Sequence, residues 1–192
     1  MNTRALILEK NFQSIRLHGF QGTRADKVVA EVGVTKGALY HYFPNKLQLG
    51  YAIVDEILAP SYTSAWKEVE AAENPIEVLV SFLEAVKKKQ TAKEVALGCP
   101  LNNLIQEMSP LDDGFRTRLQ EILETMRRSI EVGLIQGQKR GIVRKEVEPT
   151  ESAVFILASF EGAFGIAKAM QSKKAFDTSI NALKKYCRSL MV

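Results

Sequence analysis

The stretch VTKGALYHYFPNK, residues 34–46, combines a glycine, three aromatic residues, a histidine and two lysines within thirteen positions. Thr35 is a typical helix N-cap and Pro44 cannot continue a helix, so the pattern predicts a short helix over residues 36–42. Leu39 and Phe43 lie one turn apart and are expected to be buried. The other side of this helix then carries polar and aromatic side chains that a folding core does not require.

The preceding residues predict a partner for this helix. Residues 23–43 read as two short helices joined by a tight turn at Gly33, which is a helix-turn-helix arrangement. Thr23 and Asp26 in TRAD predict a capping box at the start of the first of the two helices. Gly37 costs a helix roughly 1 kcal/mol relative to alanine, so on the exposed face it indicates clearance for something that approaches the backbone. The DNA major groove is wide enough to admit such a helix.

The charge distribution favours the same partner. Residues 1–48 contain seven basic and three acidic residues, whereas the remaining 144 residues contain nineteen of each. The whole excess of +4 therefore lies in the first quarter of the chain. This indicates a polyanion partner for that quarter. The alternative is that these basic residues simply lie on ordinary solvent-exposed helix surfaces, which often carry a similar number.

Several function classes find no support in the sequence. No run approaches eighteen apolar residues, so no membrane partner is expected, and the charged N-terminus does not resemble a secretory signal. The two cysteines, Cys99 and Cys187, are far apart and have no metal-binding spacing, so we expect neither a metal site nor a cofactor, and a reducing cytoplasmic location. No phosphate-binding glycine loop, nucleophile–base pair or carboxylate pair indicates a catalytic residue, and the chain is not expected to be an enzyme.

The rest of the chain predicts helices only. Amphipathic segments are expected over about 75–93, from the break at 98–100 through Met108, and over about 112–138, 149–171 and 174–190. Pro60 is expected to interrupt or kink the helix that begins at Asn45. The fold class predicted from these patterns is all-α, with a boundary near residue 48, where the charge excess ends.

Residues 3–50 resemble the N-terminal domain of the TetR family of transcriptional regulators. The match runs without a gap over TRALILE, HGFQGT and GVTKGALYHYFPNK, and the last block is far more specific than a generic helix-turn-helix. The resemblance implies a three-helix DNA-binding domain over residues 1–48 and a helical ligand-binding and dimerisation domain over 49–192. It implies a ligand-responsive regulator of the repressor type, which binds a palindromic double-stranded DNA operator as a dimer and is released by an unknown small-molecule effector.

The resemblance also assigns residues position by position. The expected contacts to bases are Thr35, Lys36, Ala38 and Tyr40, with Gly37 giving clearance, and the expected contacts to phosphates are Thr23, Arg24, His41, Tyr42 and Lys46. The segment LGCPLNNLIQEMS, residues 97–109, resembles one group of these regulators, in which such helices surround the ligand cavity. The candidate ligand-lining residues are Tyr62, Trp66, Phe82, Leu101, Leu104, Met108, Phe115, Leu123 and Met126, for each of which plain core packing is the alternative.

The two cysteines and the last two helices carry the remaining hypotheses. Cys99, at a predicted helix N-terminus, is a possible redox-sensing thiol or an inert buried one, and Cys187 is expected to pack at a dimer interface. The homodimer is expected to form through the last two helices. Small residues would allow close helix approach and phenylalanines would supply apolar area: Ala153, Ala158, Gly162, Ala163 and Gly165, with Phe155, Phe160 and Phe164.

Two alternatives to a ligand-released repressor stay open at this point. A helical enzyme or carrier could use the C-terminal helices to hold a small molecule. A redox sensor of the same architecture could use Cys99 as its trigger in place of a reversible ligand.

Overall fold

The computed structural model describes residues 2–192, and the regular secondary structure of these residues is helical. The helices are α1 (Thr3–Gly22), α2 (Ala25–Ala30), α3 (Lys36–Tyr42), α4 (Lys46–Ile53), α5 (Ala59–Ala71), α6 (Pro75–Lys89), α7 (Ala92–Leu97), α8 (Pro100–Met108), α9 (Asp113–Lys139), α10 (Pro149–Ala169) and α11 (Lys173–Ser189). The described residues form no strand beyond an isolated antiparallel bridge between Val143 and Met191. The all-α prediction is confirmed.

Helix α1 begins and ends where its sequence dictates. The Asn2 side chain accepts a hydrogen bond from the Ala5 backbone N–H at 2.8 Å and so caps the first turn. Ile7 and Ile15 are buried along one side. The helical path breaks at Gly19, whose φ of 76° and ψ of 170° are open to glycine but strained for other residues. The predicted helix end at Gly19 agrees with this break.

Helices α4 and α5 are joined by a π-helical turn, Val54–Leu58, which the sequence analysis did not foresee. The Asn45 side chain caps α4, as predicted, by accepting from the Gln48 N–H at 2.9 Å. Pro60, the second residue of α5, has no N–H to donate to the preceding turn, and the π-helical turn lies directly before it.

The segment predicted as one helix over about 75–93 is two helices, which corrects that prediction. Helix α6 ends at Lys89, and Thr91 starts α7 with a capping box: its side chain accepts from the Glu94 N–H while the Glu94 carboxylate accepts from the Thr91 N–H. Two backbone N–H groups that would otherwise lack a partner are hydrogen-bonded at the start of α7, which stabilises a new helix start at this point. Gly98, with a φ of 78°, ends α7.

Helix α10 is the most apolar element and is largely a core helix. Among the described residues it is the one helix long and apolar enough to cross a membrane by composition alone. It packs against α11 and α7, however, and half of its most apolar stretch is buried within the protein. Its composition is therefore explained by packing.

The chain forms two compact units, each with its own core. The first comprises the chain up to Pro60 together with Pro100–Gln120, and the second comprises Ser61–Cys99 and Glu121–Val192. Ile7, Leu39 and Phe115 belong to the core of the first unit, and Trp66 and Leu79 to that of the second. The functional boundary predicted near residue 48 lies inside the first unit and stays a prediction.

Candidate nucleic-acid interface

The helix-turn-helix is built from α2, α3 and the turn between them. Gly33 adopts a φ of 73°, in the left-handed region that a tight turn requires. The turn is closed by the Gly33 N–H, which donates to the Ala30 carbonyl at 3.1 Å, and by the Val34 N–H, which donates to the Val29 carbonyl at 3.0 Å. Val29 is fully buried, so the turn is anchored to the core of the first unit.

Helix α3 has the bounds that the sequence predicted. The Thr35 hydroxyl oxygen accepts from the Ala38 N–H at 3.1 Å and caps the first turn. Leu39 and Phe43 are 1% and 3% exposed, so they hold the inner side of the helix against the core. The other side of α3 therefore faces away from this core.

The outer side of α3 carries the residues predicted to read DNA. Lys36, Gly37, Tyr40, His41 and Tyr42 are exposed, and Ala38 is half-buried. The Lys36 ammonium lies 5.8 Å from the centre of the Tyr40 ring, and the His41 and Tyr42 rings meet edge-on at 5.3 Å. Phenol hydroxyls, an imidazole and an ammonium are groups that donate hydrogen bonds to phosphates and base edges.

Gly37 is not required by the packing of the first unit. A Cβ built at this position meets nothing nearer than the Thr35 hydroxyl oxygen, at 3.8 Å, which is an ordinary contact. The protein itself would accept an alanine here, so its own packing gives no reason for the glycine.

Thr23 does not cap α2, which corrects the predicted capping box. Helix α2 begins at Ala25 with Arg24 at its N-cap and without a side-chain cap. Thr23 is 2% exposed, and its hydroxyl donates to the Gly19 carbonyl at 2.8 Å, which stabilises the end of α1. The expected phosphate contact of Thr23 stays a prediction and would have to come from its backbone. Arg24, by contrast, has an exposed side chain, paired only loosely with Asp26 at 3.6 Å.

Lys46 has a partner inside the first unit. Its ammonium donates to the Gln21 carbonyl at 3.1 Å and lies 4.9 Å from the centre of the Phe20 ring. Partial burial lowers the pKa of Lys46, and the nearby Glu107 carboxylate acts against that shift. The predicted phosphate contact of Lys46 stays a prediction. For it to form, the ammonium would have to leave the Gln21 carbonyl or donate to the carbonyl and to a phosphate at the same time.

The candidate ligand-lining residues are divided between the two units. Leu101, Leu104, Met108 and Phe115 belong to the first unit and Tyr62, Trp66, Phe82, Leu123 and Met126 to the second. The Phe115 ring packs edge-on against the rings of Phe20 and Tyr51, with ring centres 4.8 Å and 5.2 Å apart, which agrees with the alternative of plain core packing. In the second unit the rings of Trp66 and Phe82 lie 4.7 Å apart, and Phe82 also lines a surface groove of about 440 Å³. A ligand role for these residues stays a prediction.

The second unit contains a polar cluster that the sequence analysis only partly anticipated. The Cys99 thiol is 2% exposed and lies 3.2 Å from the Tyr62 hydroxyl. Glu161, which the sequence analysis missed, is 8% exposed. Burial raises the pKa of its carboxyl to about 7, against the opposing effect of a hydrogen bond with Cys99. A lone acidic residue in the apolar run AVFILASFEGAFGIA was the available signal.

Cys187 is not placed at the surface, which corrects the expectation of an interface role. It is fully buried within the protein, and burial raises the pKa of its thiol to about 12. It is therefore a packing residue of the second unit.

Helix α10 leaves one side exposed and apolar. We define the α10 face as Val154, Phe155, Ala158, Gly162, Gly165 and Ile166, all of which are exposed. A Cβ built at either glycine meets no atom within 4 Å, so the space above this face is open. The other predicted interface residues, Ala153, Phe160, Ala163 and Phe164, are buried within the unit and cannot supply interface area, which corrects that part of the prediction.

Family profiles match both parts of the chain. The profile described as bacterial regulatory proteins, tetR family, matches residues 7–53, which include α2 and α3. The profile described as tetracyclin repressor-like, C-terminal domain, matches residues 75–183, more than half of the chain.

Individual relatives agree with the profiles over nearly the full length. An uncharacterized HTH-type transcriptional regulator in the lacX 3' region of Lactococcus lactis subsp. lactis is 26% identical over 189 residues, covering 95% of this chain and 92% of that protein. The HTH-type transcriptional repressor DhaR of Mycobacterium sp. (strain GP1) is 27% identical over 172 residues, covering 89% and 85%.

Solved structures share the fold. The TetR-family transcriptional regulator from Cytophaga hutchinsonii aligns with a TM-score of 0.85 at 22% identity, covering 99% of this chain and 95% of that one. The reduced form of NemR from E. coli aligns with a TM-score of 0.82 at 20% identity, covering 100% and 98%. The profiles and the relatives rule out the enzyme alternative. The chain belongs to the TetR family and is a transcriptional regulator with an N-terminal helix-turn-helix and a C-terminal helical domain.

Proposed function

We propose that the protein is a ligand-responsive repressor, which acts in the cytoplasm, binds a palindromic operator as a homodimer and is released from it by a small molecule. The observation that carries the DNA-binding part is the outer side of α3. Lys36, Tyr40 and His41 are exposed there, while Leu39 and Phe43 hold the helix from the inside. The similarity to DhaR, which is named a repressor, supports the direction of regulation.

The α10 face supports the homodimer. A contiguous apolar surface of this kind commonly marks a protein–protein interaction site. Phe155 and Ile166, 51% and 55% exposed, supply apolar area, and Gly162 between them allows a partner helix to approach closely. A two-fold pairing places identical surfaces together, so both copies would bury the same face. Two α3 helices about 34–36 Å apart would then enter successive major grooves.

Release by an effector follows from differential binding. A small molecule weakens operator binding only to the extent that it prefers a conformation with a different separation of the two α3 helices. Tyr62, Trp66 and Phe82 in the second unit are the proposed contacts for this molecule, with Cys99 and Glu161 adding polar groups. Aromatic rings with a few polar groups among them are the typical lining of small-molecule pockets, and this set of residues has that composition.

The direct test is a footprint of the wild-type protein on the DNA that flanks its own gene. We expect a protected palindrome, which Lys36→Ala and Tyr40→Ala lose without a large change in melting temperature, since neither side chain belongs to the core. Lys27→Ala, at an exposed position of α2 outside the predicted contacts, is the matched control. Protection that is equal for wild type and both α3 variants would contradict the proposed reading helix.

The cluster around Cys99 favours a second candidate, in which a thiol-reactive compound takes the place of a reversible effector. The thiol lies next to the Tyr62 hydroxyl and the Glu161 carboxyl, and one of the similar structures is of a regulator in a reduced form. N-ethylmaleimide would form a sulfur–carbon bond to Cys99, and the thiol proton would pass to the maleimide carbon. Release of DNA from wild type and from Cys187→Ser, but not from Cys99→Ser, would support this candidate.

A further inference from the structure

The end of α1 is held by a residue from a distant part of the chain. After the break at Gly19, the Phe20 N–H donates to one oxygen of the Glu107 carboxylate and the Gln21 N–H donates to the other, each at 2.8 Å. Glu107 belongs to α8 and is separated from these amides by 87 and 86 residues. One carboxylate thus receives two charge-assisted hydrogen bonds, which are stronger than neutral ones.

The contact is closely fitted. Position 19 favours glycine for its backbone angle, and a Cβ built there would lie 2.9 Å from a Glu107 carboxylate oxygen, so the carboxylate would have to move. The Lys46 ammonium bonds to the Gln21 carbonyl and attracts the same carboxylate. Phe20 is 4% exposed and packs against Phe115, which fixes the turn from its inner side.

The held turn stands directly before the DNA-binding helices. Only Gly22, Thr23 and Arg24 separate Gln21 from the first residue of α2. A turn that shifts or loosens would therefore redirect α2, and with it α3. Helix α8, which carries Glu107, begins at the residue that follows Cys99, so a displacement of α8 would be passed to the same turn.

We propose that Glu107 is a positioning residue for operator recognition, which sets the direction of α2 and α3 by holding the turn after α1. This inference rests on the proposed dimeric operator binding. Glu107 itself is not expected to contact DNA. Its loss should change which operator geometry is accepted and leave the number of phosphate contacts unchanged.

The operator test varies the distance between half-sites. The palindrome defined by the wild-type footprint is rebuilt with the half-sites moved apart or together in single base-pair steps. We expect wild type to prefer one spacing by roughly tenfold, about 1.4 kcal/mol, and Glu107→Ala to lose most of that preference while its salt slope stays that of wild type. Glu107→Gln, which keeps one acceptor oxygen, should lie between them, and Gln106→Ala, the neighbouring exposed residue of α8, should behave as wild type. An unchanged spacing preference in Glu107→Ala would overturn the proposal, because a merely stabilising residue would weaken all spacings alike.

A second measurement needs no DNA. Hydrogen exchange of the full chain, read at the amides of Phe20 and Gln21, should be about tenfold faster in Glu107→Ala than in wild type, since local opening no longer breaks two charge-assisted bonds. Equal exchange in the two proteins would overturn the proposed hold on the turn. Faster exchange in a protein that binds no operator would support the hold and refute the proposed function instead.

Discussion

Gly37→Ala separates what α3 needs for folding from what it needs for DNA. The added methyl meets nothing closer than the Thr35 hydroxyl oxygen at 3.8 Å, and the glycine does not have a positive φ. The protein therefore gains helix propensity without strain, by up to about 1 kcal/mol. For a chain of 192 residues this raises the melting temperature by roughly 2–4 °C.

Operator binding should move in the opposite direction. If α3 enters the major groove with Gly37 facing the DNA, the methyl should displace neighbouring base contacts, and one good bidentate base contact is worth about 1–3 kcal/mol. The operator Kd should then rise by roughly tenfold or more.

Thermal unfolding and operator titration of the same preparation measure both effects. Gly22→Ala is the matched control, because its added Cβ meets only the His18 Cβ at 3.5 Å and lies outside α3. A Gly37→Ala protein that is more stable and binds its operator with full affinity would refute the clearance argument.

Three further predictions test the dimer, the phosphate contacts and the buried carboxyl. Gly162→Glu, on the open α10 face, should give monomers by sedimentation at micromolar concentration, and a wild type that sediments as a monomer would end the dimer proposal. Arg24→Ala should lower the salt slope of operator binding by about 1, and the same titration on Lys46→Ala will show whether that ammonium reaches a phosphate. The pKa of the Glu161 carboxyl rises from 4.5 to about 7 on folding, so the folded state binds the proton more tightly. The resulting stability is present below pH 4.5 and is lost as pH rises through about 7, by roughly 3 kcal/mol. Glu161→Gln should remove this slope from the unfolding free energy measured between pH 5 and 8.

The sequence predicted best where local chemistry decides the structure. Helix α3 has its predicted bounds because Thr35 caps it and Pro44 cannot extend it, and both signals lie within a few residues of the helix. The signal for the break between α6 and α7 is also local, in the Thr91–Glu94 capping box, but the apolar periodicity of α6 continues past it and predicts one helix.

The features that sequence could not predict join distant residues. Nothing near Phe20 in the sequence points to Glu107, and nothing near Cys99 points to Glu161. The Thr23 bond is local instead: its hydroxyl turns back to the Gly19 carbonyl, four residues earlier, and does not cap α2, although the TRAD pattern allows either. The contacts of Glu107 and Glu161 depend on tertiary structure, which the local sequence pattern does not contain.

Trp66 gives the second unit a built-in optical reporter. It is the one tryptophan among the 192 residues, it is 1% exposed, and its ring lies against those of Phe82 and Phe160. The fluorescence of an indole in such an apolar, water-free environment has its maximum at short wavelength. Water or a bound molecule next to the ring would shift this maximum or quench the emission. Fluorescence of the unlabelled protein can therefore be used to screen candidate effectors, and the signal will come from the unit proposed to bind them.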